Sequence, residues 1–238
     1  MFINLVHRSN EPEIMDDVNV EEKALKIALA DISRVNKLLG GNSITIKSVD
    51  QLMIDADLNK ELTIVDIGCG DGEILRVLAD LYRKKNITVK LIGVDLNEKS
   101  LELGKKLSVL YPEISYYKYD ILKVQNSELT CDIILCTLTL HHFSCKEIKG
   151  VIRKAVELAS VGVVINDLHR SKLAYYLFKL FSLFFIKGYI AKNDGLVSIK
   201  RGFKKKELLD YAKELNLQQY SIDWRWAFRY RWVIKTKY

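Results

Sequence analysis

The chain has 238 residues, of which 49% are hydrophobic and 28% charged, and a formal net charge of +7. That apolar share supplies a full core without disulfides, and the length suits one α/β domain with an insertion or lid, of ~200–250 residues. Two prolines exclude a proline-rich linker, and four cysteines without framework spacing (Cys69, Cys131, Cys136, Cys145) read as reduced thiols of a cytoplasmic protein.

No basic region followed by a long apolar run opens the sequence, so no secretory signal is expected. The positive charge favours acidic partners only in general. It comes without an Arg/Lys-rich tail or a zinc-knuckle pattern, which disfavours nucleic acid as the partner.

In chain order, residues 1–19 are polar and broken, with an acidic run at Asp16 and Asp17 placed to cap the next helix. Apolar residues at helical spacing predict that amphipathic helix over 20–39, stopped by Gly40 and Gly41, and a second over 44–58. The two helices form an N-terminal arm, residues 1–60, read as a cap over a pocket or as a structural arm.

Residues 62–66 are an uninterrupted apolar run predicting a buried strand, and 73–81 show helical periodicity. Between them lies I-V-D-I-G-C-G-D-G (residues 64–72), where glycines alternate behind an acid at the strand end. A strand, a glycine-rich turn and a helix N-terminus bring backbone N–H groups close to a ligand. Further strands are predicted at 88–94, 115–119, 132–136 and 162–165, with helices at 98–110 and 146–158 between them. Strands alternating with helices imply parallel pairing and right-handed crossovers, hence a doubly wound α/β sheet with its ligand at the carboxyl ends of the strands. Asp66, Asp95, Asp120, Thr137 and Asn166 fall at those ends.

Residues 171–188 break the alternation with a strongly apolar segment striped by Lys172, Tyr175, Lys179 and Ser182. Lys179 in its middle argues against a membrane span. It reads as part of a helical lid, residues 168–200, as a homodimer face, or as a peripheral membrane contact. A helix over 202–215 comes next, and then Trp224, Trp226, Phe228, Tyr230, Trp232 and Ile234 alternate with period two. That alternation predicts an antiparallel hairpin closing a seven-stranded, mainly parallel sheet over residues 61–238.

Two cofactor classes use this architecture. A dinucleotide site needs G-x-G-x-x-G with a pyrophosphate on the helix N-terminus. Here the third glycine comes early and position 73 is Glu, which repels a pyrophosphate and suits an ammonium group. These residues resemble the class I S-adenosylmethionine-dependent methyltransferases, and among them the small-molecule enzymes acting on quinone precursors and phenols. I-V-D-I-G-C-G-D-G is similar to the family's glycine-rich loop. L-I-G-V-D-L (91–96) is similar to the strand whose terminal acid binds the ribose hydroxyls. Y-Y-K-Y-D-I-L (116–122) is similar to the adenine-binding strand, and C-D-I-I-L-C-T-L-T-L-H-H-F (131–143) to the fourth strand and the loop facing the reactive methyl. The resemblance covers residues 62–166. It implies S-adenosyl-L-methionine as cofactor, held by Asp66, Gly68, Cys69, Gly70, Asp71, Gly72, Asp95, Leu96, Asp120, Ile121, Cys136 and Thr137.

Methyl transfer needs alignment and, for a hydroxyl acceptor, removal of one proton. His141, His142 and His169 lie at strand ends as candidate bases, His141 favoured for the substrate side and His142 for packing under the loop. Asp167 is the acid placed to orient His169. Cys136, His141, His142 and Cys145 are zinc-binding residue types, but their spacing fits no knuckle, so no metal is expected. The expected reaction is O-methylation of a small hydrophobic acceptor, a phenol or hydroxyquinone. C-methylation of a similar ring, an RNA or protein methyltransferase, and a silent cofactor-binding relative are the alternatives.

Overall fold

The computed structural model describes residues 3–17, 19–54, 56, 60–125 and 129–236. The predicted buried runs form β1 (Leu62–Ile67), β2 (Val89–Asp95), β3 (Ile114–Lys118), β4 (Cys131–Thr137) and β5 (Ala159–Leu168), with β6 (Tyr220–Arg225) and β7 (Arg229–Lys235) from the aromatic tail. They make one seven-stranded sheet in the order β3-β2-β1-β4-β5-β7-β6. The first five strands run parallel, and β7 enters antiparallel between β5 and β6. The chain reverses direction across the sheet between β1 and β4, the switch point where ligands bind in such folds.

Side chains along β1 alternate between two cores. Val65 and Ile67 join the layer over α5 (Ile148–Leu158) and α8 (Lys205–Glu214), while Leu62 and Ile64 join the layer over α3 (Glu73–Lys84) and α4 (Glu98–Leu107). The two N-terminal helices, α1 (Glu22–Leu38) and α2 (Gly41–Met53), have different places. In α2, Val49, Leu52 and Met53 pack onto the sheet, and Leu52 sits against Gly162 of β5. α1 instead builds a third cluster with the segment after β5, through Leu25, Ala28, Leu29, Ile186 and Ile190. The predicted helix over 44–58 therefore ends earlier, and residues 55 and 57–58 lie outside the described residues.

The apolar segment is one helix, α6 (Lys172–Phe185), and the rest of the predicted lid is a second, α7 (Tyr189–Arg201). The buried Asp31 of α1 marks their junction, its Oδ2 accepting the backbone N–H groups of Lys187 at 3.0 Å and Gly188 at 2.7 Å. α7 falls within the helical lid predicted over 168–200 but has no amphipathic outline of its own, because Asp194, Ser198 and Arg201 face inward with its apolar residues. Among the described residues, no helix is long and apolar enough to cross a membrane.

Candidate active site

A cavity of about 1380 Å³ opens at the carboxyl ends of the parallel strands, lined there by Ile67, Val94, Thr137 and Leu168. Its floor is the glycine turn. Gly68, Gly70 and Gly72 have φ of 68°, 55° and 73°, the left-handed region where a side chain is strained. At Gly68 a Cβ would also run into the Thr139 side chain, and at Gly72 into the Tyr116 hydroxyl. At Gly70 the nearest atom to such a Cβ is Leu29 Cδ2 at 3.4 Å, so that glycine answers to backbone conformation alone.

Acids surround the turn. Asp95 Oδ2 accepts the Gly70 N–H at 2.9 Å and Oδ1 the Asn97 N–H at 2.8 Å. Asp66 is 2% exposed, and its Oδ1 has no partner among the described residues. Burial, and then the charges of Asp95 and Glu73, hold the Asp66 carboxyl well above its usual range. Burial also raises Asp95, against the lowering effect of its backbone hydrogen bonds. Glu73 accepts both Oε hydrogen bonds from Asn42 Nδ2, at 2.7 and 2.9 Å. Asp71 turns back on its own helix, accepting the Glu73 N–H at 3.1 Å and pairing with Arg76 at 3.4 Å. Leu96, Asp120 and Ile121 line the same cavity, and Asp120 Oδ1 accepts the Leu122 N–H at 3.0 Å.

Opposite the turn the wall is polar. His141 is buried, with Nδ1 on Asp167 Oδ1 at 2.7 Å and its backbone N–H on Asp167 Oδ2 at 3.1 Å. Burial would lower the imidazole, but Asp167 and Glu13 outweigh it and raise it to about 9. Burial would raise Asp167 and Glu13, and His141 overrides it to hold both carboxyls below their usual values. The His142 side chain is 24% exposed, and its Nδ1 meets Asp16 Oδ2 at 3.0 Å. α1 (Leu29, Ile32, Val35), α6 (Leu177, Phe178, Phe181) and the β6–β7 turn (Trp226, Phe228) complete the cavity with apolar surface.

The structure corrects several expectations. Asp167 orients His141 and not His169, because β5 carries its carboxylate under the β4 loop. His169 does not line the cavity; its ring lies edge-on to Tyr230 with centroids 5.1 Å apart, and its Nδ1 has no partner among the described residues. Burial, with Arg170 and Lys204 nearby, lowers its pKa. The roles expected of His141 and His142 exchange, since the buried ring is His141 and the more open one His142. Cys136 points into the core, 2% exposed and off the cavity, whereas Cys69 and its neighbour Gly70 line it. Thr137 lines the cavity but shares its hydroxyl with Thr45 at 3.1 Å. The sequence reading missed Glu13, Asp16 and Asn42, which no periodicity marks, and Asp194 and Ser198 of α7.

The orphaned Asp66 oxygen, the side-chain-free turn and the Asp95 carboxylate at the end of the next strand fit a ligand with a cationic amino-acid end and a ribose. Sheet order, cradle and strand-end acids together define the class I S-adenosylmethionine-dependent methyltransferase fold. Residues 64–162 match the family model described as "Methyltransferase domain", in keeping with an S-adenosylmethionine-dependent methyltransferase fold. No curated protein sequence matches it. Solved structures with a similar fold include the plantazolicin methyltransferase BamL, in complex with a triazolic desmethylPZN analog and SAH (TM-score 0.63, 14% identity, 91% of this chain and 98% of that one). A SAM-dependent methyltransferase from Aquifex aeolicus is also similar (TM-score 0.61, 15% identity, 92% and 100%). So is magnesium protoporphyrin IX methyltransferase from Synechocystis PCC 6803 with bound SAM (TM-score 0.56, 15% identity, 85% and 83%).

Proposed function

We propose that the chain methylates a hydroxyl oxygen of a small hydrophobic acceptor, a phenol or hydroxyquinone. The observation carrying this reading is one cavity with two chemistries: the acidic glycine cradle and, continuous with it, an apolar chamber walled by α1, α6 and the β6–β7 turn. A chamber lined by Leu177, Phe178, Phe181 and Phe228 suits a flat, apolar ring. Two of the similar structures are named for plantazolicin and magnesium protoporphyrin IX, neither of them a nucleic acid.

S-adenosylmethionine supplies a methyl group on a sulfonium sulfur, to be displaced in line by the acceptor oxygen. In this reading Asp66 and the Gly68–Gly72 turn hold the amino-acid end, Asp95 the ribose, and Asp120 with Ile121 the adenine. The apolar chamber orients the ring and excludes water, so positioning supplies much of the rate. As the new O–C bond forms and the C–S bond breaks, the hydroxyl proton leaves toward the polar wall, where His142 is the more open imidazole and His141 is already held charged by Asp167 and Glu13. The test is turnover with methyl-labelled cofactor against a panel of phenols, hydroxyquinones and their O-blocked analogues. Label transfer to the free hydroxyl compounds alone is the expected result. Transfer to ring carbon, or to none of them, would sink the proposal.

A further inference from the structure

Glu13 lies far in sequence from the adjacent His141 and His142, yet one ring nitrogen of each histidine and a Glu13 carboxylate oxygen all lie within 4.8 Å of one another. Both histidines are held in the same manner. The Nδ1 of His141 meets Asp167 at 2.7 Å and the Nδ1 of His142 meets Asp16 at 3.0 Å. Each carboxylate claims the Nδ1 proton, which leaves both Nε2 atoms turned toward one point beside Glu13. Carboxylate–histidine pairs of this kind are how proteins fix the tautomer and direction of a metal-binding imidazole.

The separations are long for direct pairing, though Glu13 still lies close enough to favour the charged imidazole of His141. His141 Nε2 is 3.3 Å from Glu13 Oε1, and His142 Nε2 is 3.6 Å from Glu13 Oε2. A charge-assisted hydrogen bond runs at about 2.7–2.9 Å. A tetrahedral ion with bonds of ~2.0–2.1 Å separates its ligand atoms by about 3.3–3.4 Å. Charge points the same way. Glu13, Asp16 and Asp167 surround the two imidazoles, while Arg8 and Arg201 donate to the backbone carbonyls of His141, His142 and Phe143 instead of to those carboxylates. Ser198 Oγ donates to Glu13 Oε1 at 2.9 Å and fixes the carboxylate from α7.

We propose that Glu13, His141 and His142 form a binding site for one divalent transition-metal ion of the zinc type, in the wall of the acceptor chamber. Two histidines and one carboxylate leave at least one coordination position open. All three residues line the cavity, so that position faces the chamber. Its use, holding the acceptor oxygen and easing loss of the proton, rests on the O-methylation reading; binding of the ion does not.

The probe is Co2+. Protein dialysed against a chelator is titrated with Co2+, followed by visible absorbance, and back-titrated with Zn2+. One Co2+ per chain, with the bands of a nitrogen- and oxygen-ligated ion that Zn2+ displaces, is the expected result. His142→Ala and Glu13→Gln should abolish saturable binding. Asp16→Asn, which keeps all three ligands, should weaken it about 10–100-fold. Circular dichroism and calorimetric binding of the demethylated cofactor product establish that each variant is folded. Absence of saturable Co2+ binding in the unaltered protein overturns the proposal, and so does unchanged affinity in the folded His142→Ala and Glu13→Gln variants. No acceptor enters the titration, so its failure and the failure of the phenol panel are separate results.

Discussion

Asp66 and Asp95 end adjacent strands on the same side of the glycine turn, but only Asp95 is satisfied by the backbone. Gly70 and Asn97 donate to its two oxygens, while Asp66 Oδ1 has no partner among the described residues and lies in the field of Asp95. A buried carboxylate left in that state opposes folding and awaits a cationic ligand.

Asp66 has a folded-state pKa raised above the ordinary 3.8, so its contribution to stability is present below that value and lost as pH rises through the folded pKa. Ligand-free protein should therefore melt lower at pH 7.5 than at pH 5.5 by an amount that Asp66→Asn reduces. At pH 7.5 the variant should gain about 2–4 °C, corresponding to ~1 kcal/mol for a chain of this size. Its cofactor affinity should fall by roughly 10–100-fold with the loss of a charge-assisted hydrogen bond. Melting curves with and without the demethylated cofactor measure both. A variant that is less stable and binds normally would contradict the role given to Asp66.

The parallel strands and the cradle were legible because their signals are local. A buried strand is an apolar run, and a left-handed turn needs its glycines wherever the chain goes next. The polar wall was not legible for the opposite reason. His141 acquires its partners from β5 and from residue 13, and which strand end meets which loop is a property of tertiary packing. Neighbours in sequence misled as well: Asp167 stands two residues from His169, yet its carboxylate turns to the β4 loop while the His169 ring packs on Tyr230. Cys136 fails by the alternation of strand side chains, facing the core while Thr137 beside it faces the cavity. Within the predicted helical lid, α7 had no separate outline because polar residues such as Asp194 and Ser198 face the site.

Tyr116 occupies space released by three glycines. A Cβ on Gly93 would come within 2.8 Å of its Cδ1, one on Gly104 within 2.9 Å of its Cε1, and one on Gly72 would meet its hydroxyl. The hydroxyl is shared with Ser108 Oγ at 2.8 Å. Tyr116→Ala should destabilise by about 3–5 kcal/mol, as emptying a core aromatic site does. Gly104→Ala improves helix propensity, yet it should destabilise the unaltered protein because the ring blocks the new methyl. In the Tyr116→Ala background that cost should shrink, a coupling that a double-mutant cycle in urea reads directly. Additive effects would show that ring and glycines are independent.

Arg170 anchors the N-terminal segment that delivers Glu13. Its side chain is fully buried, donating to the carbonyls of Leu5 at 3.2 Å, Val6 at 3.3 Å and Gly202 at 2.6 Å, and to both oxygens of Glu207 at 2.6 and 3.0 Å. Arg170→Ala strands a carboxylate and three carbonyls and should cost about 3–5 kcal/mol in urea unfolding. Lysine should recover little of it, having no planar fork to meet both Glu207 oxygens. Burial would raise Glu207, but its bonds to Arg170 and to the Lys204 backbone lower it from 4.5. The pair's contribution is thus present above the ordinary value of 4.5 and lost as pH falls through the folded value. The Arg170→Ala variant should accordingly show a flatter stability profile in acid, below about pH 5, and an unchanged profile would place the acid sensitivity elsewhere.

Phe181 tests the acceptor side without touching the cradle. It projects from α6 into the chamber and stacks on Phe185 with centroids 4.5 Å apart. Phe181→Ala removes apolar surface that a bound ring would cover, at about 25 cal/mol per Å². It should raise KM for a phenolic acceptor by about 10-fold, roughly 1.4 kcal/mol, and leave cofactor affinity unchanged. Phe181→Leu, which keeps much of the surface, should lie between. Steady-state kinetics paired with calorimetric cofactor binding make the separation. Loss of cofactor binding in step with KM would instead make Phe181 a support for the whole cavity, with no particular claim on the acceptor.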